Sequence, residues 1–461
     1  MPFDNAVLID PAPTTVPLAH ILGALSYALD LTEGQPPGHC MRSTWIGVHV
    51  GRAMGLPPED IANLYFSVLL KDLGCSSNAA RIAALYGSDD LCFKRDSKRL
   101  GDDKRQALRF ILDHTALDAG LVDRIRTTFK VVKNAGSIVQ ELIETRCERG
   151  AAIARQLRFP TVVADAIFHL DERWDGAGRP HGLRGAEIPL YSRIALLSQV
   201  VDVFRTASGA LAACDVVTAR TGDWFDPEVA SAFHDVARDQ AFWNTLASPH
   251  LDRAVLGLEP ARRVVTTDDT YLDDIAAAFA RVVDAKSPYT SGHSNRVAEF
   301  TDLIAEQMGM APVGRQRLRR AALLHDVGKL GVSNTILDKA GKLDEAEWRA
   351  MRQHAAHSES ILARISAFAE LAEIGGAHHE RLDGRGYPRG IANSQIGALT
   401  RIVSVADVCD ALTADRPYRA AMAPDRMLSI MSSDVGKAFD PACFEALRTL
   451  VTGGRLVAER G

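Results

Sequence analysis

"LLHDVGK" (residues 323–329) and "LLKDLGC" (residues 69–75) are two versions of one phrase in a single chain. The later copy carries a His-Asp step. The earlier one has Lys71 where the later has His325, and Cys75 where the later has Lys329. Around each phrase the likeness continues. "GHCMRSTWIGVHVGRAMGL" (38–56) parallels "GHSNRVAEFTDLIAEQMGM" (292–310), and in both copies 32 positions separate the first His from the Lys71 or His325 position. Further on, "DGAGRPHGLRGAEIPLYSRIALLSQVVDVF" (175–204) aligns with "DGRGYPRGIANSQIGALTRIVSVADVCDAL" (383–412) without a gap. Repetition on this scale implies a tandem duplication, with domains expected at 1–265 and 266–461. The offset between copies is 254 in the first block and 208 in the second, so the first copy holds 46 additional residues, an insert at about 76–145. Its charged stretch "YGSDDLCFKRDSKRLGDDKRQALRF" reads either as a solvated loop flanked by helices or as a lid or partner-docking element. Gly and Pro in "LGLEPARRVVTTDDT" (256–270) mark the connection between copies.

The chain's 461 residues suffice for several cores. Apolar content of 47% and charged content of 24% are those of a globular protein. A net charge of −5 gives no general attraction to nucleic acid or an anionic membrane. No basic leader or membrane-length apolar run is evident, and the seven cysteines form no C-x-x-C pair, so a cytoplasmic, reduced protein is expected. Helical periodicity dominates. In "YLDDIAAAFARVVDAKS", Leu272, Ile275, Ala276, Phe279, Val282 and Val283 line one face, with Asp268 or Asp269 as cap. The expected fold class is all-α: two helical bundles, the N-terminal one degenerate and the C-terminal one intact.

A His-Asp dipeptide alone means little; His234-Asp235 is another, with nothing around it to form a site. His325-Asp326 has companions: His293, His354, the pair His378-His379, and Asp407. Five imidazoles and two carboxylates thus fall within 115 residues. Neutral imidazole and carboxylate suit first-row divalent ions. Adjacent residues on a helix diverge by about 100°, so a pair can serve two ions. Seven ligands exceed the needs of one ion with an open position; they fit two ions sharing Asp326 as bridge. Two such ions clamp the attacking and leaving oxygens of a phosphoryl transfer and acidify a bridging water. No cysteine joins the set, which argues against structural zinc and for iron or manganese. Lys329, four after His325, shares its helix face if the helix continues. A cation there would offset transition-state charge. Arg296, three after His293, either does the same or makes a surface ion pair. Arg315, Arg317, Arg319 and Arg320 read as a solvated helix face or as an attraction for an anionic nucleotide.

"LLHDVGKLGV", "HHERLDGRGYP" and "VADVCDALTADRPYR" resemble the HD-GYP family, a subgroup of HD metal-dependent phosphohydrolases. The resemblance covers about 268–450 and rests on long, specific motifs. It implies an all-α HD fold with a two- or three-metal centre, and phosphodiesterase action on cyclic di-GMP by a hydroxide bridging two metals, giving pGpG or GMP. By position, His293, His325, Asp326 and Asp407 would hold one ion. Asp326 with His354, His378 and His379 would hold the other. Asp326 and Lys329 are the expected catalytic residues. Arg296, Lys329, Arg385, Gly386, Tyr387 and Pro388 are expected to meet substrate, the Gly386-Tyr387-Pro388 loop forming the pocket lip. Some members bind a third ion through a Glu four residues before the first His; Tyr289 occupies that position, so two divalent ions are expected. The family also implies signalling-protein partners at this loop or at the first domain; a homodimer stays open, and neither nucleic acid nor membrane is expected. Two alternatives remain: hydrolysis of another cyclic dinucleotide or nucleotide, and a non-catalytic nucleotide sensor or scaffold.

In the first copy Arg146 stands for His354, Leu170-Asp171 for His378-His379, Gln199 for Asp407 and Arg179 for Tyr387. Only His39, Asp72 and Asp171 could still bind metal, so no hydrolysis is expected there. Its role is either structural or regulatory, the latter through a nucleotide or phosphate pocket using Lys71, Arg146 and Arg179.

Overall fold

Helix signals read from the sequence become helices throughout the computed structural model, which describes residues 17–117, 119–259, 268–365, 368–416 and 419–456. No strand occurs among the described residues; only isolated bridges such as Arg416 to Arg419 do. Asp268 caps Asp269–Asp284 by accepting the Tyr271 N–H at 2.8 Å, and the predicted apolar face of that helix is buried. The chain forms two compact units, 16–266 and 267–461. Most of the connection between copies, 260–267, lies outside the described residues, as do the first sixteen residues and Pro417-Tyr418 of a family motif.

In the second unit, His293–Gln307 packs against Pro312–Leu324 and Ala398–Thr413. Glu345–Leu362 packs against Ala369–Ala377 and the 3-10 turn Val327–Gly331. Equivalent helices recur in the first unit as His39–Ala53, Pro58–Leu69, Ala135–Gln156, Thr161–Phe168 and Leu190–Arg220. Both units start their first histidine helix after a glycine in the left-handed region, Gly38 (φ 89°) and Gly292 (φ 70°). Glycine takes that conformation without a steric penalty.

The insert is not a loop. Its residues form Ala79–Tyr86, Asp90–Ser97, Lys104–Asp113, Leu121–Lys133 and the start of Ala135–Gln156. Ile82, Tyr86, Phe93, Val131, Ile138 and Leu142 make a small core of their own. The charges that suggested a loop sit instead on caps and exposed faces: Asp89 and Asp103 cap the second and third of these helices. Among the described residues, no helix is long and apolar enough to cross a membrane.

Candidate metal centre

Asp326 follows the C-terminus of Pro312–Leu324, where His325 is the capping residue. His378 caps the C-terminus of Ala369–Ala377 in the same way. Helix C-termini carry partial negative charge and favour cations. His354 comes from the middle of Glu345–Leu362, Asp407 from the middle of Ala398–Thr413, and His293 from the first position of its helix. The helix does not continue to Lys329, so the condition for a face shared with His325 is not met. A glycine explains the break: a Cβ on Gly328 would lie 2.0 Å from the His354 carbonyl oxygen. The chain turns into a 3-10 segment to let the two backbones meet, and Lys329 reaches Asp326 from three residues away.

All seven sequence-predicted ligands converge. They form two groups of mutually adjacent donor atoms: His293, His325 and Asp407, and Asp326, His354, His378 and His379. Asp326 faces both. Its Oδ2 lies 3.2 Å from the Nε2 of His293 and 3.2 Å from that of His325. Its Oδ1 lies 3.4 Å from His354 Nε2 and 3.6 Å from His378 Nε2. Asp407 spans the groups too, with Oδ1 3.4 Å from His293 Nε2 and Oδ2 3.9 Å from His379 Nδ1.

The opposite ring nitrogens are held. His325 Nδ1 meets the Ala322 carbonyl at 2.6 Å, His354 Nδ1 the Met351 carbonyl at 2.6 Å, and His378 Nδ1 the Gly375 carbonyl at 2.9 Å. His293 Nδ1 meets Asp410 Oδ2 at 2.6 Å. Each of these bonds holds Nδ1, so that the neutral form of the ring presents Nε2 inward, the usual outer support of a metal-ligating histidine. Donor chemistry and geometry fit divalent cations. The buried atoms His325 Nε2 and Asp326 Oδ1 make no hydrogen bond, and buried polar atoms rarely go without a partner. Neither group contains a cysteine.

Electrostatics divide the histidines. Burial opposes charge on His325, but Asp326 and Asp407 outweigh it and hold its pKa at about 10. Burial lowers His354 to about 4 and His379 to about 3. Burial works against the Asp326 carboxylate, yet His325 and Lys329 hold its pKa well below the ordinary range.

The remaining predicted residues are spread more widely. Lys329 donates to Asp326 Oδ2. Arg296 turns to Asp410 and the Ser291 carbonyl rather than to the histidines. Tyr387 lies 4.7 Å from the His379 ring, centroid to centroid, and the Arg352 guanidinium lies over the Tyr387 ring, 5.4 Å from its centroid. Gly386 is half-buried, and Arg385 and Pro388 are exposed. Arg315 and Arg320 pair with acids on neighbouring helices, which favours the helix-face reading of that arginine run. Asp410 was missed by sequence reading. The signal lay in the duplication: Asp202 is retained at the same place in the first copy, where His39 Nδ1 meets its Oδ2 at 2.7 Å and Arg42 donates to its Oδ1 at 2.7 Å.

In the first unit cations replace the ligands. Lys71 donates to Asp72 Oδ2 and lies 3.0 Å from His39 Nε2. Arg146 pairs with Asp171, and Lys98 from the insert lies 2.6 Å from Glu33 and 3.6 Å from Asp72. Burial disfavours the Asp72 charge, but Lys71 and Lys98 keep it ionised, with a pKa well below the carboxylate range. Burial, then Lys71, lowers His39 to about 4.

An all-α bundle with two such histidine-carboxylate groups defines a class, the HD metal-dependent phosphohydrolases. The HD domain family matches residues 95–229 and 277–443, and the chain belongs to this family, in its HD-GYP group, with two copies of the domain. Over 437 residues, 95% of each chain, it is 51% identical to 3'3'-cGAMP-specific phosphodiesterase 3 of Vibrio cholerae. The crystal structure of a cyclic GMP-AMP specific phosphodiesterase of V. cholerae, V-cGAP3, superposes with a TM-score of 0.67 at 45% identity, covering 96% of this chain and 99% of that one. A shorter likeness, 38% identity over 171 residues, links 37% of the chain to 45% of the cyclic di-GMP phosphodiesterase response regulator RpfG of Xanthomonas campestris.

Proposed function

We propose that the second unit hydrolyses a phosphodiester bond of a cyclic dinucleotide, and that 3'3'-cGAMP is the preferred substrate. The sequence motifs alone favoured cyclic di-GMP. The relative that matches both units across their length is named for 3'3'-cGAMP, and that full-length likeness supports the change. One observation carries the chemistry: the two oxygens of Asp326 face two separate sets of imidazoles.

His293, His325, Asp326 and Asp407 would hold one divalent cation, and Asp326, His354, His378 and His379 a second, with iron or manganese suited to the donors. When bound, two such cations supply Lewis-acid stabilisation of the phosphoryl oxygens and acidify a water at neutral pH. Asp326 and Asp407 hold the imidazoles in register. In the reaction water oxygen bonds to phosphorus, the bond from phosphorus to O3′ breaks, and O3′ gains a proton. Lys329 Nζ stands against Asp326 and is the proposed donor to that leaving oxygen, or a contact to the phosphoryl group. The Tyr387 ring, with Gly386 and Pro388, forms the apolar lip against which a base can stack. Arg296 is proposed to act through Asp410, which orients His293. The product is the linear dinucleotide, or mononucleotide after a second cut.

The test is anaerobic purification, a count of iron and manganese per chain, and turnover on 3'3'-cGAMP, cyclic di-GMP and cyclic di-AMP. A metal-loaded, folded protein that turns over none of them would establish the non-catalytic sensor instead.

A further inference from the structure

The first unit contains a cavity of about 490 Å³, within the range of small-molecule sites. Cys75, Arg146, Asp171, Arg179 and Gln199 line one side. By the offsets of the duplication these are the positions of Lys329, His354, His379, Tyr387 and Asp407. The insert supplies the other side, with Tyr86, Phe93, Phe110 and Ile111. The cavity therefore sits where this unit's catalytic site would be, roofed by helices the second copy lacks.

Its chemistry differs from that of a metal site. Lys71, which the regulatory reading places in such a pocket, is not among the lining residues; it is buried against His39 and Asp72. The lining holds five basic side chains, Lys94, Lys98, Arg146, Arg173 and Arg179, against two acidic ones, Glu33 and Asp171. Lys98 and Arg146 are paired with those two acids. Arg173 is paired with Asp102 and Asp175. Lys94 Nζ donates to the carbonyls of Thr32 and Cys75, with Asp90 3.8 Å away. Arg179 donates to the neutral Gln140 Oε1. Arg179 is thus a lining cation whose hydrogen-bond partner is a neutral side chain, and it stands on a cavity whose other walls are largely aromatic and aliphatic. Gln199 adds a second, independent sign of a ligand. It lines the cavity, is 6% exposed, and its Oε1 has no hydrogen-bond partner. A buried amide oxygen calls for a donor.

We propose that this cavity binds a nucleotide without hydrolysing it. The phosphate would lie at Arg179, the base between the insert aromatics and Gln199, whose Oε1 accepts a base N–H. A carboxylate amphiphile shares the anionic head and apolar body but offers Gln199 no donor. The site stands independently of turnover in the second unit.

The full-length Asp326→Ala chain, stripped of metal by chelator, is titrated calorimetrically with GMP, AMP, 3'3'-cGAMP, inorganic phosphate and decanoate. The expected result is one nucleotide site per chain that weakens at least about tenfold in Arg179→Ala, the loss of a charge-assisted phosphate contact. Gln199→Leu is expected to alter the preference among bases, and Val139→Trp, on the cavity wall, to block binding; circular dichroism checks that each variant is folded. Decanoate binding without nucleotide binding overturns the proposal, as does nucleotide binding that Arg179→Ala and Val139→Trp both leave unchanged in folded protein. Turnover is measured separately on the same substitutions in the Asp326 background, so failure of the pocket and failure of the proposed phosphodiesterase activity are distinguished.

Discussion

Lys71 sets its ammonium 3.0 Å from His39 Nε2 and against Asp72, so a side chain occupies the place between His and Asp that a cation would take in the second unit. The surrounding frame is unchanged: His39 is oriented by Asp202 as His293 is by Asp410. The two units therefore differ in which position supplies the lysine beside the buried carboxylate: Lys71, at the His325 position, in the first and Lys329 in the second.

Removing the bridge should disable both metal groups together. Asp326→Ala is expected to lose both ions in elemental analysis and to lower turnover by at least about 100-fold, on the scale of a lost electrostatic stabiliser. Retention of one tightly bound ion per chain would show that Asp326 is not shared.

Asp410 lies outside the two groups of candidate ligands, yet it holds His293 Nδ1. Asp410→Asn should weaken metal affinity by roughly 10–100-fold, the usual effect of losing an outer partner of a ligating histidine. Turnover at saturating Mn²⁺ should recover more fully than in Asp326→Ala.

Metal uptake should release protons. His325 is held near pKa 10 by Asp326 and Asp407 against burial, so it is protonated at neutral pH, whereas ligation needs the neutral ring. Affinity is expected to climb with pH between about 6 and 10. The raised pKa also stabilises the metal-free fold: that contribution is complete below the unfolded value of about 6.5 and disappears as pH passes through about 10. Proton release on adding Mn²⁺ to weakly buffered protein, and melting of the apo protein across that window, check both signs.

Gly328→Ala should be severe, because the added methyl would lie 2.0 Å from the His354 carbonyl oxygen. A loss of roughly 2–5 kcal/mol is expected from such an overlap, accompanied by loss of metal. The matching change Gly74→Ala, 1.9 Å from the Arg146 carbonyl oxygen, should destabilise the first unit alone. Differential scanning calorimetry distinguishes the two.

Lys71→Met removes the buried partner of Asp72. A loss of about 3 kcal/mol in the first unit is expected, since breaking a buried pair strands a charge. Lys98, 3.6 Å from Asp72, moderates that loss. Metal content of the second unit should not change.

Sequence reading found the seven convergent positions because chemistry concentrates there. His325-Asp326 and His378-His379 stand out because His293, His354 and Asp407 accompany them within 115 residues, which the isolated pair His234-Asp235 lacks. It also found the helical class, since Ile275, Phe279 and Val282 follow the period that burial demands. Asp410 escaped because a carboxylate in a helix ordinarily reads as surface; only its fixed distance from His293 in space gives it a role. The 3-10 turn at Lys329 escaped because its cause, the approach of Gly328 to His354, is a tertiary contact. Helices of the insert were hidden by their charged faces, and Lys98 and Glu33 had no counterpart in the second copy to draw attention to them.

An ammonium fixed on the chain cannot be chelated, exchanged or oxidised. Because Lys71 and Lys98 satisfy Asp72 from within, the first half neutralises that carboxylate with nothing borrowed from solution, while the second half, as proposed, draws divalent cations from its surroundings. If the second half holds divalent cations as proposed, their scarcity would leave it unfilled beside a first half whose Asp72 is already neutralised. Scarcity would then silence the reaction without dismantling the half that holds the cavity.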